Sequence, residues 1–256
     1  MPGAKRITLY GATDSPFPHR LGTLSPRGGK ATYDVIWIDL VAKPDWYEKK
    51  VNPAGGKVPF LVYGGPELHP DEEPAPEAAK IPESLVILQF LDEVFPDAHL
   101  LPADLVLRAQ ARLFFIAVDN RLIDAFVGLL FRNEPAENIL AILEELQAKL
   151  PPTGYVVGDW SIADAAFTPV LSRLVLWLKC GLGTFKPDVG KAALDALESP
   201  RFARLHRYIE DNMARPSMVK TWDENAANAQ VIRRIERLRK TGIFSSDKRY
   251  PIPSTD

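Results

Sequence analysis

The sequence holds a single cysteine, Cys180, in 256 residues. One cysteine cannot form an intrachain disulfide, which argues against a secreted, disulfide-stabilised scaffold. We expect Cys180 to be a small buried side chain. The four histidines, His19, His69, His99 and His206, are dispersed and share no metal-ligand spacing with this cysteine. The sequence therefore predicts no metal site.

An excess of charge of one sign is also missing, since 31 basic residues face 33 acidic ones and the net charge is −2. A balanced chain has no overall field that attracts nucleic acid or an anionic membrane, and we expect neither as a partner. One short basic run, "RRIERLRK" at 233–240, is typical of a solvated helix face.

Long apolar runs are absent. The most apolar stretch, 113–131, is interrupted by Asp119, Arg121 and Asp124, so it cannot serve as a membrane span. The first residues lack the apolar core of a signal peptide, and the sequence has no glycine pattern of a nucleotide-binding loop. These absences predict a cytoplasmic location.

Strand and helix signals alternate over residues 1–95. "RITLY" and "YDVIWIDL" are typical of strands, with a helix expected between them from Pro16. A glycine-bracketed strand follows in "AGGKVPFLVYGG", its hairpin partner is expected in "AAKIPES", and "ESLVILQFLDEVFP" closes the unit as a helix. This order predicts a thioredoxin-like α/β domain. The proline- and acid-rich stretch 64–79 is expected to be an exposed loop inserted in the hairpin.

The pattern changes to helices alone beyond a proline-containing linker at 96–104. Residues 105–241 predict an all-helical bundle, and residues 242–256 an irregular tail. The first long helix shows an apolar stripe at three- and four-residue steps, which we expect to face the core. Its members are Leu113, Ile116, Ala117, Asn120, Ile123, Val127 and Leu130, with Asn120 as the one polar interruption.

The stretch "TDSPFPHR" joins the first strand to the first helix. Prolines are tolerated in a first helical turn, so Ser15 before Pro16 reads as an N-cap, with the two residues preceding it as rivals. The junction would leave a hydroxyl and the Phe17 N–H at the helix start. We expect His19, one turn on, to lie on an exposed face.

Two further stretches carry open alternatives. Val58–Pro59 either forms a cis peptide, which would present the Val58 backbone to a ligand, or is a simple edge proline. Glu83 and Ser84 either cap a helix or hold the carboxylate or amine of a ligand.

Ser161 and Asp164 in "WSIAD" have the spacing of a capping box. We interpret this pair as structural, starting a buried helix.

Taken in order, these motifs, together with Lys43-Pro44-x-Trp46, resemble those of the cytosolic glutathione transferases, and of the omega class in particular. The likeness covers most of residues 5–225. It implies a thioredoxin-like domain followed by a helical domain, a homodimer, and glutathione as co-substrate. The glutathione contacts that it implies are Phe17, Leu40, Lys43, Val58, Pro59, Glu83 and Ser84.

The sequence departs from the class at one position, where the usual Cys-Pro-Phe reads Ser15-Pro16-Phe17. A serine cannot form a mixed disulfide with glutathione, but its hydroxyl can donate a hydrogen bond to a thiolate and lower the thiol's pKa. The resemblance therefore implies a serine-type enzyme, associated with fungi, that conjugates glutathione to hydrophobic or aromatic electrophiles in detoxification.

Three alternatives stay open. They are a ligandin-type carrier of aromatic or polyphenolic compounds with little turnover, a thiol-disulfide reductase, and a non-enzymatic relative that acts through protein contacts. By family analogy a hydrophobic ligand site between the domains would be lined by Arg173 and Trp222, with Phe126 and Trp177 as further members, although each aromatic could equally be core.

Overall fold

The computed structural model describes residues 5–22, 33–53 and 55–242. Its first part is a four-stranded sheet in the order β2-β1-β3-β4, with β1 parallel to β2 and the other neighbours antiparallel. The strands are β1 (Ile7–Gly11), β2 (Tyr33–Trp37), β3 (Phe60–Tyr63) and β4 (Ala79–Pro82).

Helix α1 (Pro16–Gly22) follows β1, a π-helical turn occupies Tyr47–Val51, and α2 (Ser84–Val94) follows β4. Every residue of β1 is buried, as expected for a continuous apolar strand between two neighbours. The order of these elements confirms the predicted thioredoxin-like arrangement. The stretch between β3 and β4 is largely exposed, as predicted, although Leu68, Pro74 and Ala78 are buried.

The second part is helical. After a 3₁₀ turn at Pro96–Ala98 the helices are α3 (Leu105–Ala117), α4 (Ile123–Arg132), α5 (Ala136–Gln147), α6 (Ile162–Lys179), α7 (Pro187–Leu197), α8 (Ala203–Met213), α9 (Pro216–Thr221) and α10 (Glu224–Thr241). A π-helical segment, Val118–Leu122, joins α3 to α4, and a 3₁₀ turn occupies Pro200–Phe202. The predicted helical bundle is confirmed.

Helix α6 forms the centre of the bundle and is buried along nearly its whole length. Its start is fixed by the predicted capping box: Ser161 Oγ accepts from Ala163 N at 3.2 Å, and Asp164 Oδ2 accepts from Ser161 N at 2.9 Å. Asp164 also accepts from Val156 N and from the Tyr208 hydroxyl, so the box is part of a wider buried network.

The predicted core stripe of the first long helix was wrong in part. Leu113 is 67% exposed and Ile116 45%, whereas the neighbouring stripe is buried and packs in the bundle core. That stripe comprises Ala111, Phe114, Phe115, Val118, Leu122, Ala125, Phe126 and Leu129. The helix is apolar on two faces, and periodicity alone does not decide which one packs against α6.

Residues 96–104 connect the two parts, with Leu100 and Leu101 buried in the larger core and Leu100 O accepting from Ile162 N. The predicted tail lies outside the described residues apart from Gly242. Over the described ranges, no helix combines the length and apolarity that crossing a bilayer requires. No group of three or more candidate metal ligands occurs in this part of the chain.

Candidate functional site

Ser15 lies between β1 and α1 and is only 5% exposed. Its backbone N–H donates to Ala12 O at 3.2 Å, which closes the turn after the strand. Within the described residues its hydroxyl has no hydrogen-bond partner, so the predicted N-cap bond is absent. Of the two N–H groups that an N-cap usually bonds, Pro18 has none, and that of Phe17 makes no bond to the Ser15 hydroxyl among the described residues. The hydroxyl is thus available to a ligand.

The strand register places the predicted contacts at one end of the sheet. Tyr10 pairs with Phe60, and Phe60 pairs with Pro82. One end of the sheet therefore brings together the segment after β1, the residues before β3 and the residues after β4. These positions are Ser15, Val58–Pro59 and Glu83–Ser84.

Val58–Pro59 is a cis peptide, which settles that alternative. Both residues are buried. The carbonyl of the preceding Lys57 accepts from Tyr47 Oη at 2.7 Å and from Asn52 Nδ2 at 3.0 Å. These two bonds fix the approach to the cis bond and tie it to the π-helical turn. Neither anchor was identified from the sequence.

Glu83 has φ 68° and ψ 113°, a conformation that residues with a side chain seldom adopt. Its side chain makes no capping bond to α2. It is exposed, and partial desolvation raises the pKa of its carboxyl; neighbouring Lys57 and Arg20 oppose that rise, whereas Asp119 adds to it. The Glu83 backbone is strained, and its carboxylate lies near two cations and does not cap α2. This carboxylate is therefore arranged to meet a ligand.

Ser84 is held from below by Arg20, a residue that sequence reasoning missed. Arg20 is fully buried, and its Nη1 donates to Ser84 Oγ at 2.9 Å and to Asp119 Oδ1 at 2.8 Å, while its Nε donates to Ala166 O. Its guanidinium lies 4.9 Å from the Phe17 ring centre. Arg20 therefore links α1, α2 and the helical domain beneath the predicted site.

Two predicted contacts come from the segment after β2. Leu40 is half-buried and packs against a second, smaller hydrophobic core around Tyr10, Tyr47 and Phe60. Lys43 is half-exposed, with Nζ 3.9 Å from Glu48 Oε2. At that distance and exposure the pair with Glu48 is weak.

His19 is 8% exposed, so the prediction of an exposed face was wrong. Its Nδ1 lies 3.1 Å from Arg173 Nη1, and its Nε2 lies 3.1 Å from Thr221 Oγ1. The imidazole also stacks on Trp222, with ring centres 5.4 Å apart. Burial, with the Arg173 charge second, holds the His19 pKa well below its usual value. The side chain is buried because α1 packs against both α6 and α9.

The four residues predicted to line a hydrophobic site fall into two groups. Arg173 and Trp222 are in contact, with the guanidinium carbon 4.9 Å from the ring centre, close to the segment that carries Ser15. Phe126 and Trp177 contact each other in the bundle core, 3% and 2% exposed. Because α6 is enclosed on all sides at Trp177, the structure places these two rings in the core and not at an open surface.

The basic run on α10 is more than a solvated face. Arg234 pairs with Asp14 at 2.8 Å and Arg233 with Asp39 at 2.7 Å. Arg237 donates to Val41 O. The C-terminal helix thus contacts the loops after β1 and β2, which flank Ser15 and Leu40.

Cys180 is exposed, contrary to the prediction that it is buried. It lies at the end of α6, where the helix leaves the core. A separate groove of about 230 Å³ lies between α6, α7 and α8, lined mainly by leucines and other aliphatic side chains. None of the residues predicted to bind a ligand lines it.

Comparison with known proteins gives consistent matches. A family model described as the glutathione S-transferase N-terminal domain matches residues 9–99. The glutathione transferase Omega 2S of Trametes versicolor is 44% identical, with a TM-score of 0.81 over 89% of this chain and 96% of that one. Omega 1C of the same fungus is 39% identical, with a TM-score of 0.83 over 91% and 98%.

More distant and ligand-bound relatives also match. Glutathione S-transferase L1 of Arabidopsis thaliana is 26% identical over 66% of this chain and 67% of its own length. A second crystal structure of the Trametes Omega 2S protein contains 2,4-dihydroxybenzophenone, with 45% identity and a TM-score of 0.81 over 88% of this chain and 96% of that one.

Proposed function

Because the chain belongs to the glutathione transferases, in their omega-like type, we propose that it conjugates glutathione to small hydrophobic or aromatic electrophiles, with Ser15 stabilising the glutathione thiolate. The observation that carries the proposal is the Ser15 hydroxyl. It has no partner among the described residues. It lies at the end of the sheet that also presents the cis Val58–Pro59 bond and Glu83–Ser84.

The chemistry asked of Ser15 is modest. A free thiol has a pKa of about 8.5 and is mostly protonated at neutral pH. A hydroxyl that donates a hydrogen bond to the sulfur favours the thiolate, and the thiol proton leaves to solvent. The sulfur then bonds to the electrophilic carbon: an aryl halide loses halide, whereas the nitrogen of an isothiocyanate takes up a proton from solvent. His19 does not act as a base for this step. Since arginine only donates, Arg173 uses His19 Nδ1 as an acceptor, and the Nε2–H then donates to Thr221.

The remaining groups suit the rest of the tripeptide. The Val58 backbone would pair with the glutathione backbone, in the way that an edge strand binds a peptide. Glu83 would accept from the ammonium group, while Ser84 and Lys43 would bind carboxylates. Phe17, Leu40 and Pro59 would supply the apolar wall. Glutathione is a co-substrate here, and the proposed chemistry uses no metal.

The test is Ser15→Ala, with conjugation of an aryl halide or an isothiocyanate measured beside glutathione binding by calorimetry. Losing one hydrogen bond to a charged group corresponds to roughly a tenfold to hundredfold fall in turnover. Ser172→Ala is the control. Ser172 is also a buried serine, but its hydroxyl donates to Pro169 O within α6. Equal turnover in Ser15→Ala and the parent protein would remove Ser15 from the mechanism.

A carrier of aromatic compounds is the second candidate, favoured by the 2,4-dihydroxybenzophenone complex of the Trametes relative. On this alternative a dihydroxybenzophenone raises the melting temperature, since ligand binding to the native state stabilises it. Turnover would stay near background across a panel of electrophiles. Appreciable turnover with that panel would count against a purely carrier role.

We also propose a homodimer, supported by an exposed apolar stripe on α3. Leu105, Val106, Leu113 and Ile116 are all exposed there, and apolar patches of this kind commonly cover one another in homodimers. Leu113→Glu should convert a dimer to monomers in sedimentation, whereas Val219→Glu, at an exposed apolar position on α9, should not. A parent protein that sediments as a monomer would overturn this proposal. The cytoplasmic location stays a prediction.

A further inference from the structure

We propose that Arg173, from α6 of the helical domain, is a positioning residue that holds the two backbone carbonyls before Ser15 and so aims the serine hydroxyl at the glutathione sulfur. The proposal rests on the proposed function. Its basis is a pair of bonds: Arg173 Nη2 donates to Thr13 O at 2.7 Å, and Nε donates to Asp14 O at 3.0 Å. The planar guanidinium thus spans two consecutive carbonyls immediately before the serine.

The same guanidinium also fixes the chain after Ser15. Arg173 Nη1 lies 3.1 Å from His19 Nδ1 and donates to Pro169 O, also at 3.1 Å. The His19 ring continues to Thr221 Oγ1, which donates to Ser217 O at 2.7 Å. Ser15 is therefore held on both flanks by groups that belong to the helical domain.

The surroundings make this arrangement rigid. Arg173 is 2% exposed, and its guanidinium lies over the Trp222 ring. The same Trp222 ring stacks on the imidazole of His19. Burial lowers the pKa of Arg173 to about 9, with Asp14 opposing, so the group stays charged at neutral pH. The Asp14 carboxylate is in turn paired with Arg234 of α10. A buried charge is costly unless its donors are satisfied, and here the acceptors are mainly the backbone around Ser15.

The positioning role of Arg173 differs from a role in which this residue only holds the two domains together. A tie would affect stability and the binding of any glutathione derivative alike. A positioning role predicts a selective effect on the ionisation of the thiol, because only the hydroxyl-to-sulfur bond depends on where Ser15 points. S-methylglutathione has no ionisable thiol, so its affinity separates the two roles.

The experiment compares Arg173→Lys with a matched control, Arg204→Lys. Lysine keeps the charge but cannot span two carbonyls. Arg204 likewise donates to two carbonyls, Pro151 O and Gly154 O, but within the helical domain. The apparent pKa of the bound glutathione thiol is followed by the ultraviolet absorbance of the thiolate against pH, beside kcat, KM and S-methylglutathione affinity.

We expect Arg173→Lys to raise the apparent thiol pKa by about 0.5–1 unit and to lower kcat at neutral pH about three- to tenfold, since one unit is a tenfold change in ionisation. S-methylglutathione affinity should change less than about twofold, and Arg204→Lys should change neither quantity. In a Ser15→Ala background, Arg173→Lys should have no further effect on the thiol pKa, because coupled residues are not additive.

Thr221→Val provides a milder probe should Arg173→Lys fail to fold, and it is expected to shift the thiol pKa in the same direction by less. An unchanged thiol pKa in the folded variants, or an equal shift in the Ser15→Ala background, would overturn the positioning role while leaving the proposed function intact. A parent protein that binds glutathione with no lowering of its thiol pKa would instead defeat the proposed function, and the positioning role with it.

Discussion

Ser15 and Ser161 occupy the same place in two different helices, immediately before the first residue, and both are nearly buried at 5% and 2% exposure. Their hydroxyls have different uses. Ser161 Oγ accepts from Ala163 N and donates to Asp164 Oδ2, which closes a reciprocal cap. Ser15 Oγ is without a partner in the part of the chain that the structure describes.

The difference follows from the residues after each serine. Helix α6 begins Ile-Ala-Asp, so it offers backbone N–H groups and an acid at the third position. Helix α1 begins Pro-Phe-Pro, which removes two N–H groups and supplies no acid. Ser15 therefore lacks the third-position N–H and the acid that complete a capping box, and the one N–H left to it, that of Phe17, makes no bond to its hydroxyl in the described structure, so the hydroxyl can serve a ligand.

The largest effect that would sharpen this contrast is a gained activity. Ser15→Cys should reduce glutathione mixed disulfides, which the parent protein leaves at background, because its thiolate can take the glutathionyl group and pass it to free glutathione. A coupled glutathione reductase assay measures it. Ser161→Cys, equally buried and equally placed before a helix, is the control and should gain nothing. An inactive Ser15→Cys that still binds glutathione would contradict the position assigned to Ser15.

Asp164→Ala should give the largest loss of stability. The carboxylate accepts from Val156 N, Ser161 N and the Tyr208 hydroxyl, all buried, so its removal leaves several donors unsatisfied. We expect the free energy of unfolding to fall by about 3–5 kcal/mol. Denaturant titration measures the loss. A fall below about 1 kcal/mol would mean that the network around Ser161 is not what fixes the start of α6.

Acidification should weaken the α1 end through His19. Because burial depresses its folded pKa, the unfolded chain binds more protons below about pH 6.5, and the stability present above that pH is lost as the pH falls, by at most about 1.4 kcal/mol per unit. At the α6 end burial raises the Asp164 pKa to about 6, which acts with the opposite sign. Denaturant titrations of His19→Gln from pH 7.5 to 5 should lose the acid-sensitive component. An unaltered pH slope would place the titrating group elsewhere.

Features that could be predicted from the sequence depend on residues close together in the chain, whereas those that could not depend on residues far apart. The order of strands and helices and the capping box at Ser161 depend on neighbouring residues, and local patterns were sufficient for them. At Val58–Pro59 the local pattern left a cis peptide and an edge proline equally open, and the structure shows the cis form. The burial of His19 and the contacts of Arg173 to Thr13 depend on residues that lie about 150 positions or more apart. No local pattern encodes such a pairing.

Helix faces were uncertain for a related reason. α3 is apolar on two sides, and only its packing against α6 makes Phe114 core and Leu113 surface. The basic run on α10 was likewise assigned to solvent because its partners, Asp14 and Asp39, lie in the other domain. The glutathione contacts that the family resemblance implies stay predictions, whereas the supporting bonds of Arg20 and Arg173 join residues far apart in the chain and were not expected.

The smallest effects compare the two serines directly in stability. Ser161→Ala removes the cap bond from Ala163 N and the hydroxyl bond to Asp164 Oδ2, and should lower the free energy of unfolding by about 1–2 kcal/mol without reducing the turnover of the folded enzyme. Ser15→Ala removes no hydrogen bond of the described structure, so its change should stay within about 0.5 kcal/mol even as turnover falls. Parallel denaturant and turnover measurements on the two variants test the crossover. A stability loss in Ser15→Ala equal to that in Ser161→Ala would show that the Ser15 hydroxyl caps α1 after all.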